Sequence, residues 1–414
     1  PAWIPSMVAR GGPGIHSSAM PELAYLFERF PSFGQTFCYR EVSELERQGT
    51  RIHLFSIRRP TDEPAQDWDR RIVDVVHYLP DEKALVAEVE RALKRNALSS
   101  AARGAIEKWG RASDFLRLYQ AVYVGLRMEQ AGLTHLHAHF AGMAARTAYW
   151  IHEFFGIPYS FTAHANDIFA PRDFAISLQK LIAGAAAVVT VSDYAVALLR
   201  ERFPEGAGKV HRVYNGIDLS RFAANQPAPG KPLVISVGRL IEKKGFADLI
   251  DACALLKSRG VEFECRIVGE GPLGEQLRGR IENAGLAGTV ELTGPQSQVE
   301  IAQLLRYSTL FVLPCVRETD GAMDNLPTVI MEAMAAGVPV VSTPLAGIPE
   351  MVQPGINGEL VPERDPAALA DAIAALLSDP ARASELGARG REIAREKFSV
   401  ETNVRQLRQL FSQL

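Results

Sequence analysis

Apolar and polar positions along the chain follow a repeated rhythm, in which short apolar runs alternate with longer amphipathic stretches. The first unit reads LAYLF, then the amphipathic FCYREVSELERQG, then IHLFSI. A short apolar run bounded by turn residues is typical of a strand buried on both faces, and apolar residues at a spacing of three and four are typical of a helix. The rhythm therefore predicts an α/β fold in which helices cover a mainly parallel sheet.

The rhythm runs through the chain twice. Between the two halves, the segment AANQPAPGKP is rich in Pro, Gly and Asn, which is typical of a linker. We therefore expect a first doubly wound domain over 21–222, a linker over 223–231 and a second doubly wound domain over 232–384. The helical stretch 385–414 is long enough to cross back over the first domain, and residues 1–20 are expected to form a flexible leader.

Composition narrows the class of protein. The 414 residues are 47% apolar and 22% charged, which is ordinary for a globular protein of two domains. The formal net charge of −3 gives no reason to expect nucleic-acid binding. The four cysteines form no C-x-x-C pair, and no apolar run reaches the roughly 18 residues of a membrane helix. We therefore expect a cytoplasmic protein without a disulfide framework or a zinc cluster.

Residues 83–131 are rich in helix formers and carry few strand signals. Between Lys83 and Arg127 there are nine Lys or Arg and four Asp or Glu. A basic amphipathic surface of this kind can rest on anionic lipid, which would place the protein peripherally at the inner face of the cytoplasmic membrane. The alternative, which we favour, is a set of helices that cover the sheet and show a solvated face.

A first candidate for chemistry is VGRLIEKKGF, which ends an apolar strand at Gly238 and places Arg239 and Lys244 in the loop that follows. Ligands of doubly wound folds bind beyond the carboxyl ends of the strands, so these two cations would point into the cleft. There they could neutralise a diphosphate. Solvated surface cations are an equally good interpretation of this segment alone.

A second candidate is DNLPTVIMEAMAAGVPVV, which predicts a helix with a proline in its first turn and a glycine at its end. The backbone N–H groups of Asn325, Leu326 and Thr328 would be unpaired at this helix N-terminus, which is a natural anion site. Asp324 precedes the helix, and Glu332 lies inside an otherwise apolar stretch. Burying Glu332 requires hydrogen bonds, which ribose hydroxyls or an internal salt bridge would supply.

A third candidate is FTAHANDIF, in which His164 closes a β-rich run and so projects from the first domain. His164 could hydrogen-bond a bound sugar, with Asp167 near the attacking hydroxyl, although a lone histidine is more often structural. His135, His137 and His139 alternate on one strand and share a face. A transition-metal site there is a hypothesis that we weigh below strand packing with a cleft-edge role for His139.

Together these segments resemble the retaining glycosyltransferases of family 4, which have the GT-B fold of two Rossmann-like domains facing each other across a cleft. The resemblance is carried by VGRLIEKKG, IVGEGPL, EAMAAGVPVV, AGIPEMV, GINGELV, VYNGIDLSRF and FTAHANDI, and it covers most of the chain from about residue 22. FPSFGQTFCYREVSELERQG and HLHAHFA are similar to the subgroup that builds bacterial exopolysaccharide and colanic-acid-type polymers.

The resemblance implies a role for each matching residue. Arg239 and Lys244 would hold the donor diphosphate, and Glu332 would hold the ribose. Asp324 would bind sugar hydroxyls, and His164 would approach the donor sugar across the cleft. Further positions are expected to line the nucleotide, the sugar or the acceptor: Gly34, Gln35, His139, Asp167, Gly238, Glu270, Gly271, Gly294, Gln296, Asn325, Leu326 and Thr328.

The chain departs from the pattern of the family at two places. The family generally has Glu followed by Gly where this chain has the shorter Asp324 followed by Asn325. Many members also place a pair of glycines after the first strand, where this chain has Phe33, Gly34 and Gln35.

The implied activity is transfer of one sugar, with retention, from a UDP- or GDP-linked donor to a saccharide acceptor that we expect to be lipid-linked. The resemblance implies no essential metal and no cofactor besides the nucleotide sugar, because the cations and the helix terminus stabilise the leaving diphosphate. Asp67-Trp68-Asp69 copies the D-x-D of metal-dependent, single-module glycosyltransferases, but it lies in a Pro-rich loop, so we expect no metal role there. The alternatives are a nucleotide-sugar epimerase or hydrolase on the same fold, and a noncatalytic nucleotide-sugar-binding protein.

Overall fold

The computed structural model describes residues 22–64, 66–109, 115–170 and 173–414. The leader expected over 1–20 lies outside these residues.

The first domain is built on a parallel sheet. Its strands are β1 (Leu23–Arg29), β2 (Ile52–Arg58), β3 (His77–Tyr78), β4 (Leu136–His139), β5 (Tyr159–Ala163), β6 (Ala187–Thr190) and β7 (Val210–Arg212). Within the described residues the strand order is β3-β2-β1-β4-β5-β6-β7, and every neighbouring pair runs parallel. The order reverses next to β1, which lies between β2 and β4.

The second domain repeats this arrangement. Its strands are β8 (Leu233–Val237), β9 (Glu264–Val268), β10 (Val290–Gly294), β11 (Leu310–Leu313), β12 (Val340–Ser342) and β13 (Gly358–Leu360). They lie in the order β10-β9-β8-β11-β12-β13 and are also parallel. The order reverses next to β8. The fold is therefore two doubly wound α/β units, as the rhythm of the sequence predicts.

Helices cover both sheets. In the first domain they are α1 (Thr36–Arg47), α2 (Arg70–Val73), α3 (Glu82–Lys94), α4 (Ser100–Trp109), α5 (Phe115–Ala131), α6 (Met143–Phe155), α7 (Ala165–Phe169), α8 (Leu178–Gly184) and α9 (Asp193–Arg202). In the remainder of the chain they are α10 (Phe246–Ser258), α11 (Gly274–Asn283), α12 (Gln298–Tyr307), α13 (Thr328–Ala336), α14 (Ile348–Met351), α15 (Pro366–Ser378), α16 (Pro380–Lys397) and α17 (Val400–Phe411).

The final helix packs against the first domain. Val400, Val404, Leu407 and Phe411 are buried and recur at helical spacing, so they form one apolar stripe along α17. This stripe belongs to the same hydrophobic cluster as residues of β1 and α1. The chain therefore crosses back from the second domain to the first, where α17 packs beside α1 in the hydrophobic cluster on one side of the first sheet.

The basic stretch forms α3, α4 and α5; α3 and α4 both pack against α5, and α4 and α5 pack against α6. Their apolar positions, such as Leu85, Val89 and Ile106, are buried in the core of the first domain, whereas Lys83, Arg91 and Lys94 are exposed. Among the described residues, no helix has the length and the hydropathy needed to cross a bilayer.

Strand β3 and helix α2 were not among the sequence-based predictions. His77 and Tyr78 form a strand of two residues, which is too short for a periodic pattern to register. Asp69 caps α2 by accepting a hydrogen bond from the N–H of Arg71, and its carboxylate pairs with the Arg71 guanidinium. Asp69 of the D-x-D sequence is therefore a helix cap.

We predict that Leu407→Ala lowers the free energy of unfolding by about 2 to 5 kcal/mol, because it leaves a cavity between α17 and the first sheet. Urea denaturation followed by circular dichroism measures this change. Gln409→Ala on the exposed face of α17 is the matched control. Equal stability of the two variants would contradict the packing described for α17.

Candidate active site

The candidate site lies where the carboxyl ends of the central strands of the two sheets face each other. Loops that leave neighbouring strands in opposite directions open a crevice at the point where the strand order reverses. Hydrogen bonds cross between the domains at these edges. Lys243 Nζ donates to Asn166 Oδ1 at 3.0 Å, and Ser192 Oγ donates to Asn325 Oδ1 at 2.7 Å.

An ion pair between Lys244 and Asp324 stands at the second-domain edge. Lys244 ends a short 3-10 turn after β8, and Asp324 lies in the loop after β11. Nζ of Lys244 lies 2.5 Å from Oδ2 of Asp324, and Nζ of Lys243 lies 3.5 Å from Oδ1. The loops that follow two adjacent strands therefore bring the side chains of Lys243, Lys244 and Asp324 together.

Both members of this pair are charged at neutral pH. Burial opposes the charge on Lys244, but Asp324 and Cys315 outweigh burial and raise the pKa of Lys244 above its ordinary value. Burial also opposes ionisation of Asp324, but Lys244 and Lys243 outweigh it and lower the pKa of that carboxyl.

Arg239 stands beside Lys244 and is exposed. Its guanidinium is close enough to lower the pKa of Lys244, although burial and the neighbouring acids act on that pKa more strongly. A Cβ added at Gly238 would lie 3.2 Å from Cδ and Cε of Lys244, so the absence of a side chain at Gly238 leaves room for the lysine. The structure therefore brings Gly238, Arg239, Lys244 and Asp324 together.

The loops after β9 and β10 pack beside this group. The N–H of Leu240 donates to the carbonyl of Glu270 at 2.9 Å, and a Cβ at Gly271 would lie 2.6 Å from the carbonyl oxygen of Leu240. The N–H of Gly269 donates to the carbonyl of Gly294 at 2.9 Å. Backbone contacts therefore fix the loops that carry the expected nucleotide-binding positions.

Gln296 follows β10 and has a buried Oε1 without a hydrogen-bond partner among the described residues. A buried amide oxygen is costly when it is unpaired. This oxygen is available to a ligand at the position where the family resemblance expects the base of the nucleotide.

Helix α13 begins at Thr328, one residue later than the proline that the sequence suggested as its first position. Asn325 and Leu326 are buried just before it, and none of the hydrogen bonds among the described residues uses the N–H of either. The side chain of Asn325 contacts the first domain through Ser192, and its Nδ2 has no hydrogen-bond partner within the described part of the chain. Unpaired donors therefore collect at the N-terminus of α13.

Glu332 on α13 forms a salt bridge with Arg40 on α1. Nη2 of Arg40 lies 2.5 Å from Oε1 of Glu332, and the two side chains are only 8% and 7% exposed. The internal salt bridge that the sequence left open as an alternative is therefore present, and its cation comes from the other domain.

On the first-domain side, His139 and His164 meet at the ends of β4 and β5. Nδ1 of His139 lies 3.3 Å from Nε2 of His164, and Nε2 of His139 lies 3.1 Å from Oε1 of Glu41. Burial opposes the charge on His139, but Cys38 and Glu41 outweigh it and raise the pKa of His139 to about 10. Burial and the nearby His139 hold the pKa of His164 well below its ordinary value. His139 is therefore the charged member of the pair.

Asp167 lies in the first turn of α7 and accepts a hydrogen bond from the backbone N–H of His164 at 2.9 Å. Burial raises the pKa of Asp167 to about 6, against backbone hydrogen bonds from His164 and Ala141 that favour the ionised form. Asp167 thus fixes the backbone from which the His164 side chain extends.

Two groups of side chains near His139 have a geometry that could hold a metal ion. Cys38, His139 and His164 place one ligand atom each within 4.8 Å of one another, and so do Glu41, His137 and His139. His135 and His137 both contact Ser160 Oγ on the neighbouring strand at 2.8 Å. Those two contacts fit the strand-packing interpretation of the alternating histidines.

Gly34 and Gln35 form a 3-10 turn between β1 and α1. Within the described part of the chain, neither shares a hydrogen bond with the second-domain residues named above.

Sequence reasoning missed Arg40, Glu41 and Lys243. Arg40 and Glu41 lie between buried apolar residues of α1. Two charged residues beside the apolar stripe of a helix were the sequence signal that could have identified them. Lys243 directly precedes Lys244 in the sequence. Only the geometry of the loop shows that its amine is turned towards Asn166.

Two family models match the chain. The model described as "Glycosyltransferase Family 4" matches residues 34–221, and the model described as "Glycosyl transferases group 1" matches residues 220–393. The two matches meet near residue 220, between the two sheets.

Among curated proteins, WcaL of Salmonella typhimurium, whose name refers to colanic acid biosynthesis, is 42% identical over 198 residues, which are 47% of this chain and 49% of that protein. The amylovoran biosynthesis glycosyltransferase AmsK of Erwinia amylovora is 36% identical over 210 residues, which are 50% and 52% of the two chains. The alignments thus span about half the length of these relatives. A solved structure of HepE from Anabaena in complex with UDP superposes with a TM-score of 0.70 at 19% identity, over 95% of this chain and 100% of that one, and shares the fold.

We predict that Asp167→Asn changes the pH dependence of stability. The folded-state pKa of about 6 lies above the ordinary 3.8, so the contribution of Asp167 is fully present below pH 3.8 and is lost as the pH rises through 6. Wild type should therefore lose about 3 kcal/mol relative to the variant between pH 3.5 and 7.5. The amide of the variant has one acceptor oxygen fewer than the carboxylate, which changes the free energy of unfolding by the same amount at every pH. This offset cancels when the two pH profiles are compared.

Urea unfolding at several pH values measures the difference. Asp173→Asn is the control, because Asp173 is exposed. Parallel pH profiles for wild type and Asp167→Asn would show that burial does not raise the pKa of Asp167.

Proposed function

Because the chain belongs to the family 4 glycosyltransferases, we propose that it transfers one sugar, with retention, from a nucleotide-sugar donor to a saccharide acceptor in the synthesis of a cell-surface polysaccharide. The observation that carries the proposal is the convergence of Lys244, Arg239 and the unpaired donors before α13 on the edge that faces the first domain.

The leaving group of such a transfer is a nucleoside diphosphate, on which negative charge develops as the glycosidic bond breaks. Arg239, Lys243 and Lys244 gather at this edge around the carboxylate of Asp324, and the carboxylate of Glu318 accepts a hydrogen bond from the backbone N–H of Lys243 at 3.0 Å. Preorganised charge and backbone N–H groups in a partly buried site stabilise a developing anion more than water does. These groups would take the part that a divalent metal has in other transferases.

The remaining site residues are assigned by the family resemblance. Asp324, held by Lys244, would accept hydrogen bonds from hydroxyls of the donor sugar. Glu332 would bind the ribose, and His164 would face the sugar from the first domain. The departing phosphate would accept the proton of the acceptor hydroxyl, so we assign no protein side chain as a base.

The proposed donor is a UDP- or GDP-linked sugar. HepE, which shares the fold, has been solved with UDP, and a mannosyltransferase of Mycolicibacterium smegmatis that is 31% identical over 249 residues is named as GDP-mannose-dependent. The names of WcaL and AmsK refer to polymer biosynthesis, which supports a growing saccharide as the acceptor. We propose that this acceptor is lipid-linked and is used at the inner face of the cytoplasmic membrane.

We predict that Lys244→Ala and Arg239→Ala each lower kcat/KM at least about tenfold, which corresponds to roughly 1.4 kcal/mol of lost transition-state stabilisation. Thermal-shift screening against UDP-, GDP- and ADP-sugars first identifies the donor. Release of nucleoside diphosphate, measured with and without acceptor, then gives the rates.

Lys257→Ala is the control, since Lys257 is exposed on α10 and its Nζ donates to the backbone carbonyl of Gly285. Unchanged kcat/KM in both site variants would refute the role of the cations. An altered nucleotide sugar without acceptor would indicate an epimerase, and tight donor binding without turnover over a broad acceptor panel would indicate a binding protein.

The exposed cations of α3 and α4 lead to a separate prediction. If this surface rests on the membrane, the protein should float with vesicles that contain anionic phospholipid at low salt, and 0.5 M salt should release it. Vesicles of neutral phospholipid are the control. Absence from the anionic vesicle fraction at low salt would remove the membrane contact from the proposal.

A further inference from the structure

Three metal-ligating side chains meet at the first-domain side of the cleft. Cys38 lies in α1, His139 ends β4, and His164 directly follows β5. Only 1%, 1% and 7% of these residues are exposed. They come from three separate segments of the chain, and the fold brings them together because β4 lies between β1 and β5 in the sheet.

The separations of the ligand atoms match those around a tetrahedral zinc ion. Nδ1 of His139 lies 3.3 Å from Nε2 of His164 and 3.5 Å from Sγ of Cys38. Zn–N bonds of about 2.0 to 2.1 Å and a Zn–S bond of about 2.3 Å place two nitrogens about 3.3 to 3.4 Å apart and a sulfur about 3.5 to 3.6 Å from a nitrogen. The third separation, between Cys38 and His164, is within 4.8 Å. The three atoms can therefore share one metal ion.

His139 presents Nδ1 to this cluster because its other ring nitrogen is engaged. Nε2 of His139 lies 3.1 Å from Oε1 of Glu41, and the same oxygen accepts a hydrogen bond from the hydroxyl of Tyr25 at 2.9 Å. A metal-binding histidine normally donates its second N–H to a carboxylate, which orients the ring and strengthens the ligand. Glu41 meets this requirement and is itself held by Tyr25.

The other group of possible ligands shares His139 but relies on His137. Nδ1 of His137 lies 2.8 Å from Oγ of Ser160, and its Nε2 lies 3.0 Å from Oγ1 of Thr162. Both ring nitrogens of His137 therefore already have partners on the neighbouring strand. The ion is consequently expected on the Nδ1 side of His139.

Aromatic rings enclose the cluster. The ring centroids of Phe37 and Phe140 lie 4.9 and 4.3 Å from that of His164, and the ring of Phe27 stacks on His139 with its centroid at 5.2 Å. An apolar shell of this kind limits the access of water to a metal site. Three protein ligands leave the fourth position of a tetrahedral zinc ion to water or another small ligand. The cluster therefore has the ligands and the surroundings of a zinc site with one exchangeable position.

We propose that Cys38, His139 and His164 bind one Zn²⁺ ion, with Glu41 orienting His139. The ion replaces the proton of the Cys38 thiol and the proton that His139 holds in the metal-free protein, so two protons leave as it binds. The site itself does not depend on the proposed function, but its effect on turnover does. An ion that holds the ring of His164 keeps that ring from the donor sugar, so Zn²⁺ should inhibit the transfer.

Metal titration of the full chain tests the site. After treatment with a chelator, the protein should take up one Co²⁺ ion and show a thiolate-to-cobalt charge-transfer band in the near ultraviolet, together with the visible bands of tetrahedral cobalt. Zn²⁺ should displace Co²⁺ and abolish these bands. A lack of uptake, or an octahedral cobalt spectrum without the thiolate band, would overturn the proposal, and this result depends on no variant.

Variants of single residues identify the ligands. Cys38→Ser should lower the affinity for Zn²⁺ at least about a hundredfold, and Glu41→Gln, which keeps an acceptor oxygen for His139, should lower it about tenfold. Cys253→Ala and His211→Gln change a buried cysteine and a half-buried histidine outside the cluster and should bind Zn²⁺ as wild type does. Melting temperatures without metal show whether each variant folds. Unchanged affinity in a folded Cys38→Ser variant would overturn the assignment.

Rates of transfer separate this inference from the proposed function. Relative to the same protein in chelator, Zn²⁺ should lower the rate at least about fivefold in wild type and less than about twofold in Cys38→Ser. Each protein is its own reference, so any effect of the substitution itself cancels. Equal inhibition of both would overturn the inhibitory role of the site. If the cobalt bands appear but no pair of donor and acceptor supports transfer, the metal site stands and the proposed function fails.

Discussion

Charge buried between two domains must be paired, and this constraint organises the cleft. Removing a charge from water is costly unless an opposite charge and hydrogen bonds compensate. Lys244 meets this demand within the second domain, through Asp324. Glu332 meets it across the domains, through Arg40. The Lys244–Asp324 pair determines the charge at the second-domain side of the cleft. The Arg40–Glu332 pair spans the cleft, so it can form only when the two domains are close together.

The departure at Asp324 and Asn325 can be understood in the same terms. Asp324 reaches Lys244 despite its short side chain because the loops after β8 and β11 lie against each other. The absence of a side chain at Gly245 permits this close contact, because it leaves room for the backbone of Pro314. Asn325 replaces the glycine of the family and contributes an amide that accepts a hydrogen bond from Ser192 in the first domain. This substitution therefore adds a polar contact between the domains.

The sequence was sufficient for the fold and for grouping four candidate residues at one edge of the second sheet. Buried parallel strands leave continuous apolar runs, and the loops after them carry recognisable segments, so Gly238, Arg239, Lys244 and Asp324 could be found from their order along the chain. The contact of Glu332 with Arg40 could not, because it joins residues 292 positions apart on two helices of different domains. Glu41 beside His139 was missed for the same reason, since a helix and a strand end meet only after the sheet has formed.

The crossing of the chain back to the first domain also determines how the halves can move. The backbone at Ile217, on the way out of the first sheet, hydrogen-bonds to Phe398 and Val400, on the way back, at 2.8 and 3.0 Å. The segment that leaves the first domain and the segment that returns to it therefore pair through a parallel bridge at one point beside the cleft. A rotation of one domain against the other that keeps both hydrogen bonds must pivot near this point, because sliding of one segment past the other would break them.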